Sequence, residues 1–254
     1  MTRTHQKYIR IYSDGYDISG TSRQVGVCGV EYDAQNDEGV TDGVKNILIG
    51  RGTVKCGPIN SFLSPSATIG VHELMSPGYG TRNIMIPVGA LAVPAVGNPC
   101  FAWEFEQASY IVDQGSGFVA VNAILANTSY AGPLNYSNPW GLLLHAYGIE
   151  TAANVAIGTI DNGAASAAGG VFAYQIFSSN GTVTASMDDS ATNANNAAFS
   201  AVSGATSGSV DASATPKSGF IQLSKTAAVQ RYLRFQVAFG TATTVTFATS
   251  FTRG

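Results

Sequence analysis

The closing stretch of the chain, RYLRFQVAFGTATTVTFATSFTRG from Arg231 to Gly254, alternates apolar and polar residues twice around a small Gly/Thr/Ala turn. A period of two is the strand period, because successive side chains on a strand leave opposite faces. Leu233, Phe235, Val237 and Phe239 share one face of the first run, and Val245, Phe247, Thr249 and Phe251 one face of the second. Rows of that kind bury against a common core, so the segment reads as a strand pair that closes a β-sandwich. The opposite rows, of Thr, Ser, Gln and Arg234, make a neutral, hydroxyl-bearing face suited to packing against another subunit.

The same alternation recurs through the chain. CFAWEFEQASYIV (Cys100–Val112) sets Phe101, Trp103 and Phe105 against Ala102, Glu104 and Glu106, and GFVAVNAILAN (Gly117–Asn127) follows it across a DQGSG loop. WGLLLHAY (Trp140–Tyr147) reads as a buried strand, and the prolines in NIMIPVGALAVP (Asn83–Pro94) mark an edge or a bend. Near the start, YIRIY stops at Asp14-Gly15, a tight-turn pair. Helix signals are few. DGVKNILIG (Asp42–Gly50) has Thr41 or Asp42 as N-cap and Val44, Ile47 and Leu48 at helical spacing, and a second short turn falls at GVHELM (Gly70–Met75). The fold expected is all-β and mainly antiparallel. A β-sandwich or barrel domain with one short helix spans 1–150, a small-residue linker or loop 151–170, and a C-terminal β-sandwich, jelly-roll-like domain 171–254.

Composition narrows what such a fold can do. Only 11% of the 254 residues are charged, against the roughly 25% usual in soluble domains, while 29 are glycine. A nearly neutral surface favours association. The net charge of −3 lacks the basic stripe a nucleic-acid binder needs. Up to Gly170 there are thirteen acids and eight bases, and after it three acids and five bases, so the halves carry opposite signs. No run of roughly 18 apolar residues offers a membrane helix, and the basic N-terminus has no apolar core behind it. Cys28, Cys56 and Cys100 are too widely spaced for a zinc pattern or a disulfide framework, and read as reduced structural thiols.

Reactive constellations are sparse. There is no nucleophile elbow, dinucleotide fingerprint or phosphate loop, so neither catalysis nor a cofactor is expected. Glu31, Asp33, Asp37, Glu38 and Asp42 crowd VEYDAQNDEGVTDG without a histidine nearby, which suits a solvated or interface-facing loop better than an acid/base pair. Asp188, Asp189, Asn193 and Asn195 in MDDSATNANN offer oxygen ligands dense enough for Ca²⁺, but without the ordered spacing of a calcium loop they read first as a polar loop. His145 reads as a polar cap at a strand end. Arg231 and Arg234, three apart on a strand, point to opposite faces; Arg234 is expected outward, toward an acid on a neighbouring subunit, and Arg231 near the strand mouth.

Several segments together resemble tailed-bacteriophage virion proteins of the tail-tube (major tail protein) kind. They are YIRIYSDGYDISGTSRQVG (Tyr8–Gly26), DAQNDEGVTDGVKNILIG (Asp33–Gly50), GNPCFAWEFEQASY (Gly97–Tyr110) and PWGLLLHAYG (Pro139–Gly148). YQIFSSNGTVTASMDDSA and the closing AAVQRYLRFQVAFGTATTVTFATSFTRG resemble a β domain appended to phage structural proteins. The resemblance implies a non-catalytic subunit that assembles with copies of itself and other virion proteins in the host cytoplasm, touching no membrane. It implies a tube whose acidic lumen passes DNA without binding it, with Glu31, Asp33, Asp37, Glu38 and Asp42 at the lumen or between rings, alongside the loop Gly52–Tyr79. The hydroxyl-rich second half equally suits a capsid decoration or cement protein. Trp103, Trp140 and the tyrosines leave open a carbohydrate-binding β-sandwich for host recognition.

Overall fold

The computed structural model describes the chain except residues 1–5, 37–46, 64–69, 77, 79, 91–92, 115–118, 128–137, 152–154 and 194–197. The first half forms β1 (Tyr12–Ser13), β2 (Tyr16–Asp17), β3 (Ser22–Asn36), β4 (Ile47–Phe62), helix α1 (Val71–Met75), β5 (Thr81–Pro87), β6 (Pro99–Asp113), β7 (Ala120–Asn127) and β8 (Trp140–Glu150). The second forms β9 (Val155–Asp161), β10 (Gly170–Ser179), β11 (Thr182–Ser190), β12 (Ser200–Thr206), β13 (Val210–Asp211), β14 (Lys217–Gln222), β15 (Tyr232–Phe239) and β16 (Val245–Arg253). Every strand pairing among the described residues is antiparallel, so the expected all-β class is the one observed.

Two sheets result. The larger runs β14-β10-β16-β8-β6-β5-β1-β2, with β7, β4 and β3 branching from β6; the smaller runs β12-β11-β15-β9, with β13 on β11. The smaller sheet packs on the β10–β16–β8 region of the larger, and their facing rows make the first core. Phe235 and Val237 of β15 and Met187 of β11 meet Phe172, Phe247 and Phe251 there. A second core fills the curl of β3–β4–β7–β6–β5, with Phe101, Trp103 and Phe105 on one side and Ile59, Val121 and Leu125 on the other. Helix α1 adds Val71, Leu74 and Met75 to it. A third core of Tyr12, Met85, Cys100, Ala102, Leu143, Ala173 and Ala248 lines the opposite face of the large sheet.

That sheet also curls toward its own far end. The β1–β2 turn has Asp14 at φ 51° and Gly15 at φ 81°, the twin positive values of a tight hairpin turn. Gly15 N–H donates to Gln175 Oε1 at 2.6 Å, and Gln175 Nε2 donates to the Asn83 carbonyl at 2.8 Å. Asn83 Nδ2 in turn donates to Ser218 Oγ at 3.0 Å. A Cβ on Gly15 would stand 2.6 Å from the Pro216 ring, so turn and neighbour fit only because the position is glycine.

Three expectations change. Ile47–Gly50 is not helical. It opens β4 in register with Ala34–Asn36 of β3, a cross-strand ladder that overrides local helical spacing in an isoleucine-rich run; Asp42 lies outside the described residues. The closing segment is not a strand pair. β15 binds β11 and β9 in one sheet, β16 binds β10 and β8 in the other, and the two meet face to face with the Phe235 and Phe247 rings 4.6 Å apart. Finally, residues 151–170 are not all linker, because Val155–Asp161 is a strand bonded to β15.

Candidate assembly surface

The acidic residues expected to sit on one loop divide. Glu31 and Asp33 lie within strand β3, where Glu31 is opposite Thr53, and Asp37, Glu38 and Asp42 fall outside the described residues. The parity of β3 turns Glu31 outward, since Cys28 and Val30 pack inward on the second core. There it forms an ion pair with Lys55 of β4, both side chains more than half exposed. The expected loop Gly52–Tyr79 is instead mostly the end of β4 followed by α1.

Both arginines of β15 and its edge find their carboxylate partners within the same chain. Arg234 is only 9% exposed. Its Nε and Nη2 donate to Asp188 Oδ2 at 3.1 and 2.8 Å, and its guanidinium lies 4.5 Å from the Phe199 ring centre. The outward position expected for it is therefore corrected: strand parity does turn it off the core face, but Asp188 and Phe199 cover it. Arg231 makes a two-pronged bond to Asp161, with Nε at 2.8 Å and Nη2 at 2.6 Å, on the surface of its own chain; this holds the Asp161 carboxyl down at about 2.

The calcium candidates are not gathered. Asp188 is taken by Arg234. Asp189 accepts the Gln230 N–H at 2.7 Å, with its carboxyl pushed up by burial. Asn193 is exposed, and Asn195 is outside the described residues. No group of three or more metal-ligating side chains occurs among the described residues. His145 is 5% exposed in the body of β8 rather than at its end. Its Nε2 meets Glu150 Oε1 at 3.2 Å and its ring lies 4.2 Å from that of Phe247.

Among the described residues, one sheet face gathers exposed apolar side chains. On β7, Val121, Ala123 and Leu125 point into the second core, so Ala120, Asn122 and Ile124 point out. The register places Asn60 of β4 and Ile111 of β6 on either side of Asn122, and Ser109 of β6 beside Ile124. Val27 of β3 continues the outer row. Val27, Ile111 and Ile124 are 72%, 54% and 44% exposed, a concentration of large apolar side chains on one open face. Phe62, also exposed, carries the Arg23 guanidinium 5.8 Å above its ring. A groove of about 410 Å³ runs across these strands, lined by Arg23, Asn60, Ile111 and Asn122 among others. Ser109 Oγ and Asn122 Oδ1 are shielded from solvent and have no hydrogen-bond partner within the chain. Leaving a shielded polar atom unbonded costs about 1–3 kcal/mol. The sequence signal for this face was present in the alternation of GFVAVNAILAN, whose outward residues include an isoleucine where a polar residue would be usual.

The surface can bind and pack; among the described residues it brings no nucleophile, base and oxyanion donor together. No protein-family model matches the chain, and no curated protein matches it. Among solved structures it is similar to the SPP1 Dit (gp 19.1) protein, described as a paradigm of hub adsorption apparatus in Gram-positive infecting phages. That similarity covers 96% of this chain and 99% of that one, at 12% identity and a TM-score of 0.31.

Proposed function

We propose that this chain is a non-catalytic structural subunit of a tailed-bacteriophage virion that works by assembling with copies of itself, its most specific reading being a tail-tube subunit. One observation carries the assembly reading: the open outer face of β3, β4, β7 and β6, with Val27, Ile111 and Ile124 exposed beside two unbonded polar atoms. A second copy seated there would remove the apolar area from water, at about 25 cal/mol per Å². The low charge of the chain and its resemblance in order and texture to tail-tube proteins support the finer reading. The Glu31–Lys55 pair tempers the acidic lumen, because it neutralises one of the acids assigned to it.

The test is electron microscopy and light scattering of the purified protein over a range of concentrations, with Ile111→Asp and Ile124→Asp beside the wild type. Rings or hollow tubes, lost in both variants while their far-UV spectra stay unchanged, are the expected result. A protein that remains monomeric at high concentration overturns the reading. Binding only to assembled capsids would place it with decoration proteins, and reproducible glycan-array hits abolished by Trp140→Ala would make it a host-recognition module.

A further inference from the structure

Cys28 of β3 and Cys56 of β4 are direct cross-strand partners, and their Sγ atoms stand 3.3 Å apart. Opposed residues of an antiparallel ladder have Cα atoms about 4.5–5.5 Å apart, inside the span of about 4.4–6.8 Å that a disulfide accepts. Closing the pair to a bond of about 2.05 Å therefore asks for a side-chain adjustment and no change of register. The two thiols differ in access. Cys28 is half-buried and reachable, whereas Cys56 is packed against Val54, Ile59 and Leu125 in the second core. They differ in acidity too: the hydrogen bond from Cys56 holds the Cys28 thiol below its ordinary pKa, and the same bond and burial push Cys56 up. Cys100 is buried in the third core and takes no part.

We infer that Cys28 and Cys56 form a reversible intrachain disulfide, with Cys28 as the attacking thiol and Cys56 as the resolving one, when the protein meets a low-molecular-weight disulfide. The Cys28 thiolate attacks one sulfur of that disulfide. The S–S bond breaks, one thiolate leaves, and a mixed disulfide remains on Cys28. Cys56 gives its proton to the departing thiolate and attacks Cys28 Sγ, expelling the second thiolate, which takes up the proton Cys28 gave to solvent. Two protein thiols are oxidised, and one small disulfide is reduced to two thiols. The bond falls beside an irregularity on the other edge of β4. The register of β4 against β7 slips between Cys56 and Ile59, and Gly26 lies so close to Gly57 that a Cβ there would be 2.3 Å from its carbonyl oxygen. A cross-link beside that irregularity pins the β3–β4 register, which a one-residue slip would otherwise turn inside out.

The experiment takes the full chain, reduces it, removes the reductant and adds oxidised glutathione. In denaturant the titratable thiols should drop from the three cysteines of the sequence to one, and the intact mass should fall by two hydrogen atoms. Proteolysis should yield one linked pair of peptides, holding Cys28 and Cys56. Cys56→Ser should trap glutathione on Cys28, Cys28→Ser should leave Cys56 unmodified, and Cys100→Ser should behave as wild type. Amide exchange along β3 and β4 should slow in the oxidised form and recover with dithiothreitol. Stable glutathione adducts on the wild type, a Cys28–Cys28 link between chains, or three free thiols after oxidation would each overturn the assignment; the wild-type peptide map decides even if Cys56→Ser does not fold.

Discussion

At the scale of single residues, two buried titratable sites carry testable energetics. Arg234 and Asp188 form an ion pair with side chains only 10% and 5% exposed. Removing one member of such a pair leaves an uncompensated buried charge at a cost of about 3–5 kcal/mol, whereas replacing both with apolar groups of similar volume is often neutral. Arg234→Ala and Asp188→Ala should each lower the unfolding free energy measured by urea titration by that order, and Arg234→Met with Asp188→Leu should recover most of the loss. His145 makes the second case. Burial among Phe235 and Phe247 pushes its pKa below the ordinary value, against the opposing pull of Glu150. The unfolded chain then binds more protons at this site than the folded one, so stability rises with pH across the window between the depressed value and the unfolded value of about 6.5. Acidifying below about 6.5 should destabilise the wild type more steeply than His145→Gln, measured as the slope of unfolding free energy against pH. An equal slope in both would mean that the fold does not lower the pKa of the imidazole.

Among elements, the β1–β2 turn shows how far a two-residue signal reaches. Asp14-Gly15 predicts a hairpin turn from its residue types alone, and the positive φ values fulfil it. Its neighbours were not predictable, since Gln175 and Pro216 are brought to it only by the curl of the sheet. Gly15→Ala combines a strained backbone, worth of order 1–3 kcal/mol, with a clash against Pro216, and should lower the thermal midpoint by several degrees while Gly20→Ala, with nothing near its Cβ, should not. Period-two rows were equally legible: Phe101, Trp103 and Phe105 do face one core, and Phe235 and Phe247 another. Alternation states which face a residue takes but not which strand lies beside it, and for that reason β15 and β16 read as partners although they belong to opposing sheets. Arg234 was misplaced for a related reason. Parity puts it off the core face, but only the tertiary packing of Phe199 decides whether that face is wet.

For the whole molecule, the decisive property is how the halves of the chain share sheets. β16, the last strand, lies between β10 and β8, so a strand of the first half is bonded to the final residues of the second. Leu144 of β8 sits in the sandwich core with Phe172 and Phe251, and Phe220 of β14 packs edge-on to Trp103 of the first half's core at 5.5 Å. A fragment ending at residue 150 would keep α1 and the curl around Phe101 and Phe105, yet it would leave β8 as an unpaired edge, with Leu144 stripped of the partners that bury it. Open apolar edges of that kind aggregate or stay unfolded. Residues 1–150 expressed alone should therefore be insoluble or lack dispersed amide resonances, and residues 151–254 should fare no better, because β16 loses β8. Mixing the two fragments during refolding should restore a soluble 1:1 complex with the exchange protection of the intact chain. Two fragments that each fold separately, with cooperative melts of their own, would show instead that the shared sheet is an interface between autonomous domains. The composition step near residues 151–170 would then mark a true boundary despite the strand that crosses it.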